Sequence, residues 1–350
     1  MFLRNCWYVA AWDYEITDDN LLARTIINEP IVLYRKDNGE VAALQDRCCH
    51  RAAPLSIGRK EGDAVRCMYH GLKFDSSGTC VEIPGQDSIP PQACVRSFPV
   101  VVQSSWVWVW MGEPNKASID LIPPAVALDN PEWNFRSGSI EYQANYLFVN
   151  DNLLDFSHLT FLHPNSFGVG EDWAQIRPKV TRLERGVRIE RWLPNQPIPN
   201  HIKDVVDAEY LDMYSHYDYL APGVMVMYSY NFPGGTCEKF NGGYPEGMDP
   251  ITREVTCQSI TPTTDGSSRY FFSWAPFRSK GGTDELAEGM IAIARMAFEE
   301  DRVMIEAQYN NTPPGTKHIA IAFDNALAQM RWVLDKLIKE ESQTKVESVA

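Results

Sequence analysis

Cys48-Cys49-His50-Arg51-Ala52-Ala53-Pro54-Leu55 and Cys67-Met68-Tyr69-His70-Gly71-Leu72-Lys73-Phe74 are two short Cys/His segments with 16 residues between His50 and Cys67. Two thiolates and two imidazoles suit a structural zinc. They suit equally a two-iron, two-sulfide centre in which one iron takes both cysteines and the other both histidines. Zinc fingers usually gather the cysteines in one pair and the histidines in the other. Here each segment supplies one of each, as a binuclear cluster held between two loops requires. Cys49, at the x position of Cys-x-His, reads as a packing residue.

Outward from these segments the chain is strand-like. Short apolar runs at 25–28, 31–34 and 41–44 are separated by turn residues such as Asp37-Asn38-Gly39. The alternation continues through 98–102 and 105–111, where Trp106, Trp108 and Trp110 fall on one face and Val107 and Val109 on the other. Beyond Gly112-Glu113-Pro114 a proline-containing stretch without clear period marks a domain boundary near residue 115. The second part mixes strands at 180–193, 223–230 and 268–274 with two helices. One is expected from about Asp284 to Gln308. The other starts at the N-cap Asp324 and places Leu327, Met330, Val333, Leu334, Leu337 and Ile338 on one stripe. The expectation is an α+β chain: an all-β domain over 1–115, an α+β domain with an antiparallel sheet over 116–341, and a disordered tail over 342–350.

Composition narrows the partners. A net charge of -14 opposes nucleic acid and anionic membranes and favours a basic protein partner. No apolar run approaches a membrane span and no secretory leader is evident, so cytoplasm is the expected compartment. Eight cysteines in 350 residues are too dilute for a disulfide framework, and six of them lie in the first 94 residues.

A cluster alone would make an electron carrier, which needs no second domain. The segment 152–164 carries Asp155, His158 and His163 in the pattern Asp-x-x-His-x-x-x-x-His. On one helix Asn152, Asp155 and His158 share a face. Pro164 should end that helix before His163 and let its imidazole swing toward His158. Two histidines and a carboxylate with open positions form the facial triad of non-haem iron(II) oxygenases. In the helix 284–308 an apolar stripe of Met290, Ala294, Ala297, Phe298, Met304 and Ile305 has Asp301 in its middle. An inward carboxylate needs a partner, and a metal is the natural one. Glu299, Glu300, Arg302 and Glu306 count onto the solvated face.

The two Cys/His segments resemble the cluster-binding loops of Rieske proteins, and together with the second constellation the chain resembles Rieske non-haem iron oxygenases over nearly its whole length, from Asn5 to Arg331-Trp332. It is most similar to the group that includes vanillate and dicamba O-demethylases and toluenesulfonate methyl-monooxygenase. The resemblance implies a Rieske domain followed by a helix-grip-like catalytic domain. It implies a [2Fe-2S] cluster on Cys48, His50, Cys67 and His70 and a mononuclear iron(II) on His158, His163 and Asp301, with Asn152 beside it. It also implies O2 as co-substrate and a homotrimer, in which Asp155 bridges His70 of one subunit to His158 of the next. The reaction implied is monooxygenation of a methyl or methoxy group on an aromatic acid or sulfonate. Ring dihydroxylation or N-demethylation is the alternative, and a Rieske electron carrier with a ligand-binding domain a more distant one. No Gly-x-Gly-x-x-Gly fingerprint occurs, so NADH should act only through a separate reductase or ferredoxin. His216, Met227 and Gln258 are candidate substrate contacts, with Lys239 and Arg278 nominal partners for an anion. The chain departs from the family pattern at Asn150, where relatives tend to be apolar.

Overall fold

Tryptophan at every second position of 106–110 would cover one face of a sheet, yet all five residues of that strand are buried. The computed structural model describes residues 1–125, 130–198, 202–203 and 206–347, and the chain divides into two units. The first comprises Met1–Ile122 together with Thr261–Asp265. Its strands are β1 (Trp7–Trp12), β2 (Leu22–Ile26), β3 (Glu29–Arg35), β4 (Val41–Gln45), β5 (Arg59–Glu61), β6 (Ala64–Arg66), β7 (Lys73–Phe74), β8 (Cys80–Glu82), β9 (Ser97–Phe98), β10 (Val100–Gln103) and β11 (Trp106–Trp110). They form three antiparallel sheets in the orders β1-β11-β10, β2-β3-β4-β9 and β5-β6-β7-β8. Trp7 lies opposite Trp110 and Trp12 opposite Trp106 across β1 and β11. Each such ring buries roughly 150–250 Å², a gross stabilisation of about 4–6 kcal/mol before the entropy of ordering is subtracted.

The second unit is Pro123–Ile260 with Gly266–Ala350. Its sheet has seven strands: β12 (Arg136–Tyr142), β13 (Lys179–Leu183), β14 (Gly186–Pro197), β15 (Tyr210–Leu220), β16 (Val224–Pro233), β17 (Thr252–Thr264) and β18 (Ser267–Pro276), in the order β12-β18-β17-β16-β15-β14-β13. The helices are α1 (Tyr146–Leu154), α2 (Leu159–Leu162), α3 (Thr236–Lys239), α4 (Asp284–Asn310) and α5 (Asn325–Glu347). Helix α4 packs on β12 and β18, and α5 on β13 and β14. The result is an antiparallel sheet gripping helices, following an all-β N-terminal part in sequence. No helix among the described residues is long and apolar enough to cross a membrane.

Several local expectations change. The segment around Asp155 is three short pieces and not one helix, because Asp155 adopts extended backbone (φ -131, ψ 96) between α1 and a 3-10 turn, Phe156–His158, which its own carboxylate caps. Met304 is 53% exposed, so the buried stripe of α4 is completed by Ala287 and Ile291. Helix α5 continues through Glu347 into the segment expected as a tail. Lysine, glutamate and glutamine there all favour helix. Residues 348–350 lie outside the described residues.

Candidate metal centres and active-site cavity

The two Cys/His loops are built alike. The first joins β4 to β5 and the second β6 to β7. In the first, Cys48 N donates to Ala53 O and Ala52 N to Cys48 O, both at 2.9 Å. In the second, Cys67 N donates to Leu72 O at 2.8 Å and Gly71 N to Cys67 O at 3.0 Å. The fourth residue after each cysteine is left-handed, Ala52 at φ 56 and Gly71 at φ 77. Gly71 is required twice over, since a Cβ there would meet Pro84 Cγ at 2.7 Å. Arg66 anchors the second loop by donating to Gly71 O, while Glu61 and Glu82 hold its guanidinium. Cys48 and Cys67 are buried and His50 and His70 exposed, with the imidazole rings 4.5 Å apart. Burial pushes the Cys48 thiol up against a backbone hydrogen bond at His50, and the adjacent Cys67 pushes it further. Thiols packed this closely without compensation are the chemistry that a soft metal centre relieves by taking them as thiolates.

In the second unit His158 Nε2, His163 Nε2 and Asp301 Oδ1 converge. Asp301 Oδ1 lies 3.5 Å from the first and 3.3 Å from the second. Both imidazoles are oriented from behind. His158 Nδ1 pairs at 2.5 Å with the Asp155 carbonyl oxygen, and His163 Nδ1 at 2.7 Å with Glu300 Oε2, which also accepts from Ser166 Oγ. Asn152 Nδ2 donates to Asp301 Oδ1 at 2.8 Å and lies 3.3 Å from His158 Nε2. Burial holds the His158 imidazolium down, against the charge of Asp301. At His163 burial acts the same way, but the neighbouring carboxylates of Asp301 and then Glu300 outweigh it and the net shift is upward. Asp301 is 3% exposed, and His163 Nε2 is fully buried without a hydrogen-bond partner. Two Nε2 atoms and one carboxylate oxygen mutually within 4.8 Å therefore fit a divalent metal.

Glu300, expected on the solvated face, is instead the partner of His163. Its place one residue before Asp301 gives no periodic signal, and only the position of His163 in space reveals it. The carboxylates of Glu299 and Glu306 do pair with Arg302 on the outer face.

A cavity of about 130 Å³ opens beside Asn152, His158 and Asp301. That compares with the roughly 150 Å³ apolar void known to accept benzene. Its walls are Phe156, Phe167, Trp173, Met213, Trp274 and Phe298, and the floor is β16 and β17. Met227 and Gln258 line it, with Gln258 Oε1 accepting from Tyr270 at 2.5 Å. His216 does not. It lies opposite Tyr228 and stacks on Tyr228 and Tyr230, whereas the next residue pair, Tyr217 and Met227, faces the cavity side. Lys239 and Arg278 are absent from the lining among the described residues, as is any other Lys or Arg. Lys239 lies over Phe240, and Arg278 donates to Asn134. Asn150 ties α1 to the β15–β16 turn, accepting from Tyr219 and donating to Pro222 O.

Comparison with known proteins agrees with this geometry. Residues 6–99 match the Rieske [2Fe-2S] domain, and residues 142–340 match the vanillate O-demethylase oxygenase C-terminal domain. The iron-sulfur subunit of the toluene-4-sulfonate monooxygenase system of Comamonas testosteroni is 44% identical over 98% of this chain and 99% of its own. A vanillate O-demethylase oxygenase subunit from a Pseudomonas species is 31% identical over 98% of this chain and 97% of its own. The crystal structure of dicamba monooxygenase bound to 3,6-dichlorosalicylic acid superposes with a TM-score of 0.88 at 28% identity, covering 97% of this chain and 99% of the other.

Proposed function

Since the chain belongs to the Rieske non-haem iron oxygenases that carry the vanillate O-demethylase oxygenase C-terminal domain, we propose that it oxidises a methyl or methoxy group on an aromatic acid or sulfonate. It is the terminal oxygenase of a multicomponent system, and a reductase or ferredoxin supplies its electrons. The observation that carries the substrate reading is the convergence of His158, His163 and Asp301 on one side of an aromatic-walled cavity the size of a single ring. Cys48, His50, Cys67 and His70 are assigned to the cluster, and His158, His163 and Asp301 to a mononuclear iron(II).

Bound there, the iron supplies reductive activation of O2, with one oxygen atom entering a substrate C–H bond and the other leaving as water. The protein's part is orientation. The Asp155 carbonyl and Glu300 fix both imidazoles with Nε2 forward, and Asn152 holds Asp301 Oδ1 in place. Phe156, Phe167, Trp173 and Phe298 keep the reacting group in an apolar, water-poor space. A methoxy substrate would give a hemiacetal that collapses to a phenol and formaldehyde, and an aryl methyl group would give the alcohol. Asp155 is read as the bridge to His70 of a neighbouring subunit in a homotrimer. Cytoplasmic residence fits eight cysteines of which none forms a disulfide.

Product analysis tests the reading. Methyl- and methoxy-substituted benzoates and benzenesulfonates are incubated with the enzyme, a reductase and NADH. Formaldehyde or a benzylic alcohol is expected, and a cis-diol as the product would overturn it. A second prediction concerns Glu300→Gln, which keeps a hydrogen-bond acceptor for His163 but removes the charge. Affinity for the mononuclear iron should fall about 10- to 100-fold, read by competition with a chelator, while the visible spectrum of the cluster is unchanged.

A further inference from the structure

A second cavity lies outside the site just described, at the edge of the seven-stranded sheet. Strand β13 begins at Lys179, opposite Glu190, so from Arg191 onward the edge of β14 away from β15 has no strand beside it among the described residues. At this uncovered edge residues from both faces of β14 meet one space of about 300 Å³, bounded by Arg177, Lys179, Arg191, Trp192, Tyr214 and Tyr244.

The polar groups there are nearly all donors. The one carboxylate, Glu190, is already engaged by Lys179 Nζ at 2.8 Å and by the Tyr214 hydroxyl at 3.1 Å. Hydrogen bonding to Lys179 holds it below the usual glutamate range. Lys179 is thereby neutralised as well, and two guanidinium groups remain. Arg191 is 6% exposed, yet its one hydrogen bond is a long 3.5 Å contact from Nη1 to the Trp173 carbonyl. The group also lies 5.2 Å from the Trp173 ring, and burial lowers its pKa. Arg177 is exposed and its side chain has no ion pair or hydrogen bond among the described residues. Trp192 Nε1 is buried without a hydrogen-bond partner. Guanidinium and indole N–H groups cannot accept, so beyond the Trp173 carbonyl and the charge of Asp155 that Arg191 feels, their remaining N–H groups call for an acceptor from outside. Two guanidinium groups ask for an oxyanion. Beside them Trp192 and Tyr214 pack at a centroid distance of 5.0 Å, with Tyr244 5.3 Å from Tyr214, offering ring faces to a flat ligand.

We propose that this edge cavity binds a small aromatic carboxylate or sulfonate, its oxyanion on Arg191 and Arg177 and its ring against Trp192, Tyr214 and Tyr244. The site is separate from the cavity beside Asp301 but shares a wall with it, since Trp173 lines that cavity while Arg191 lies against the ring of Trp173. An aromatic anion, for which the inner cavity offers no Lys or Arg among the described residues, is held here by charge.

The test is calorimetry on the metal-loaded, full-length enzyme with benzenesulfonate, toluene and inorganic sulfate as probes. Crystals soaked in 4-bromobenzenesulfonate serve to locate the ligand. Benzenesulfonate is expected to bind, with bromine anomalous density between Arg177 and Trp192. Its affinity should drop about 10- to 100-fold in Arg177→Gln, an exposed change that leaves the fold intact. Arg191→Met should weaken it at least as much. Three outcomes would overturn the proposal: no anomalous density at this edge, unchanged affinity in Arg177→Gln, or sulfate or toluene binding there as tightly as benzenesulfonate.

Discussion

Asp301→Ala is expected to empty the mononuclear iron site while the [2Fe-2S] cluster stays. Asp301 Oδ1 is the atom on which both His158 Nε2 and His163 Nε2 converge, and it is 3% exposed. Removing it leaves two neutral imidazoles, which hold a divalent ion far less firmly than a set that includes a charged oxygen. It also strips Asn152 Nδ2 of the acceptor it now has at 2.8 Å. Oxygenation should fall by roughly 10^3-fold or more, since metal catalysis is worth several kcal/mol. Fold stability should change little or rise, because a buried carboxylate that depends on a metal partner has been removed. Iron analysis after anaerobic reconstitution decides the matter. Full iron content together with lost activity would mean that another carboxylate ligates. Glu300 is then the nearest candidate, although its oxygen lies on Nδ1 of His163, the face turned away from Asp301.

Much of this centre was legible in the sequence because its signals are local. Two Cys/His pairs in turn-rich strands, a histidine before a proline and one acid inside an apolar stripe are each visible in the spacing, and their conjunction points to metal. The all-β character of the first third followed from short alternating runs, and β16 and β18 from strand-like segments at 223–230 and 268–274. What the sequence hid is tertiary. Strands β15 and β17 mix polar with apolar residues on both faces, because one face lines a cavity and the other is half-covered in β15 and buried in β17. Neither face then gives a clean hydrophobic period. The break at Asp155 was missed because aspartate at that spacing is compatible with a helix. The deciding event is its carboxylate turning to cap Ser157 N at 2.8 Å. Glu300 and His216 were misplaced for one shared reason. Residue count along an element gives the direction of a side chain but not what the rest of the chain brings to meet it.

Asp155→Asn should leave both metal centres loaded and yet lower coupled turnover about 100-fold. Within the chain Asp155 makes two hydrogen bonds that do not need its charge, while the charge itself acts on the buried Arg191. Its carbonyl oxygen orients His158 through Nδ1, and its side-chain oxygen accepts from Ser157 N. Asparagine retains both, since Asn and Asp serve almost equally as N-caps. Only the negative charge is lost, which is what a bridge between His70 of a neighbouring subunit and His158 would use. The readouts are therefore iron content, the rate at which the reduced cluster is reoxidised when substrate and O2 are added, and NADH consumed per product formed. Slow reoxidation with normal iron supports the bridging role, and unchanged turnover would sink it. Asp155→Ala separates the remaining possibility, because it removes the cap along with the charge. If the alanine variant alone is impaired, Asp155 matters as the hinge that breaks the helix and aims His158. If both are impaired to the same degree, the carboxylate acts through its charge, as the proposed bridge to His70 of a neighbouring subunit requires.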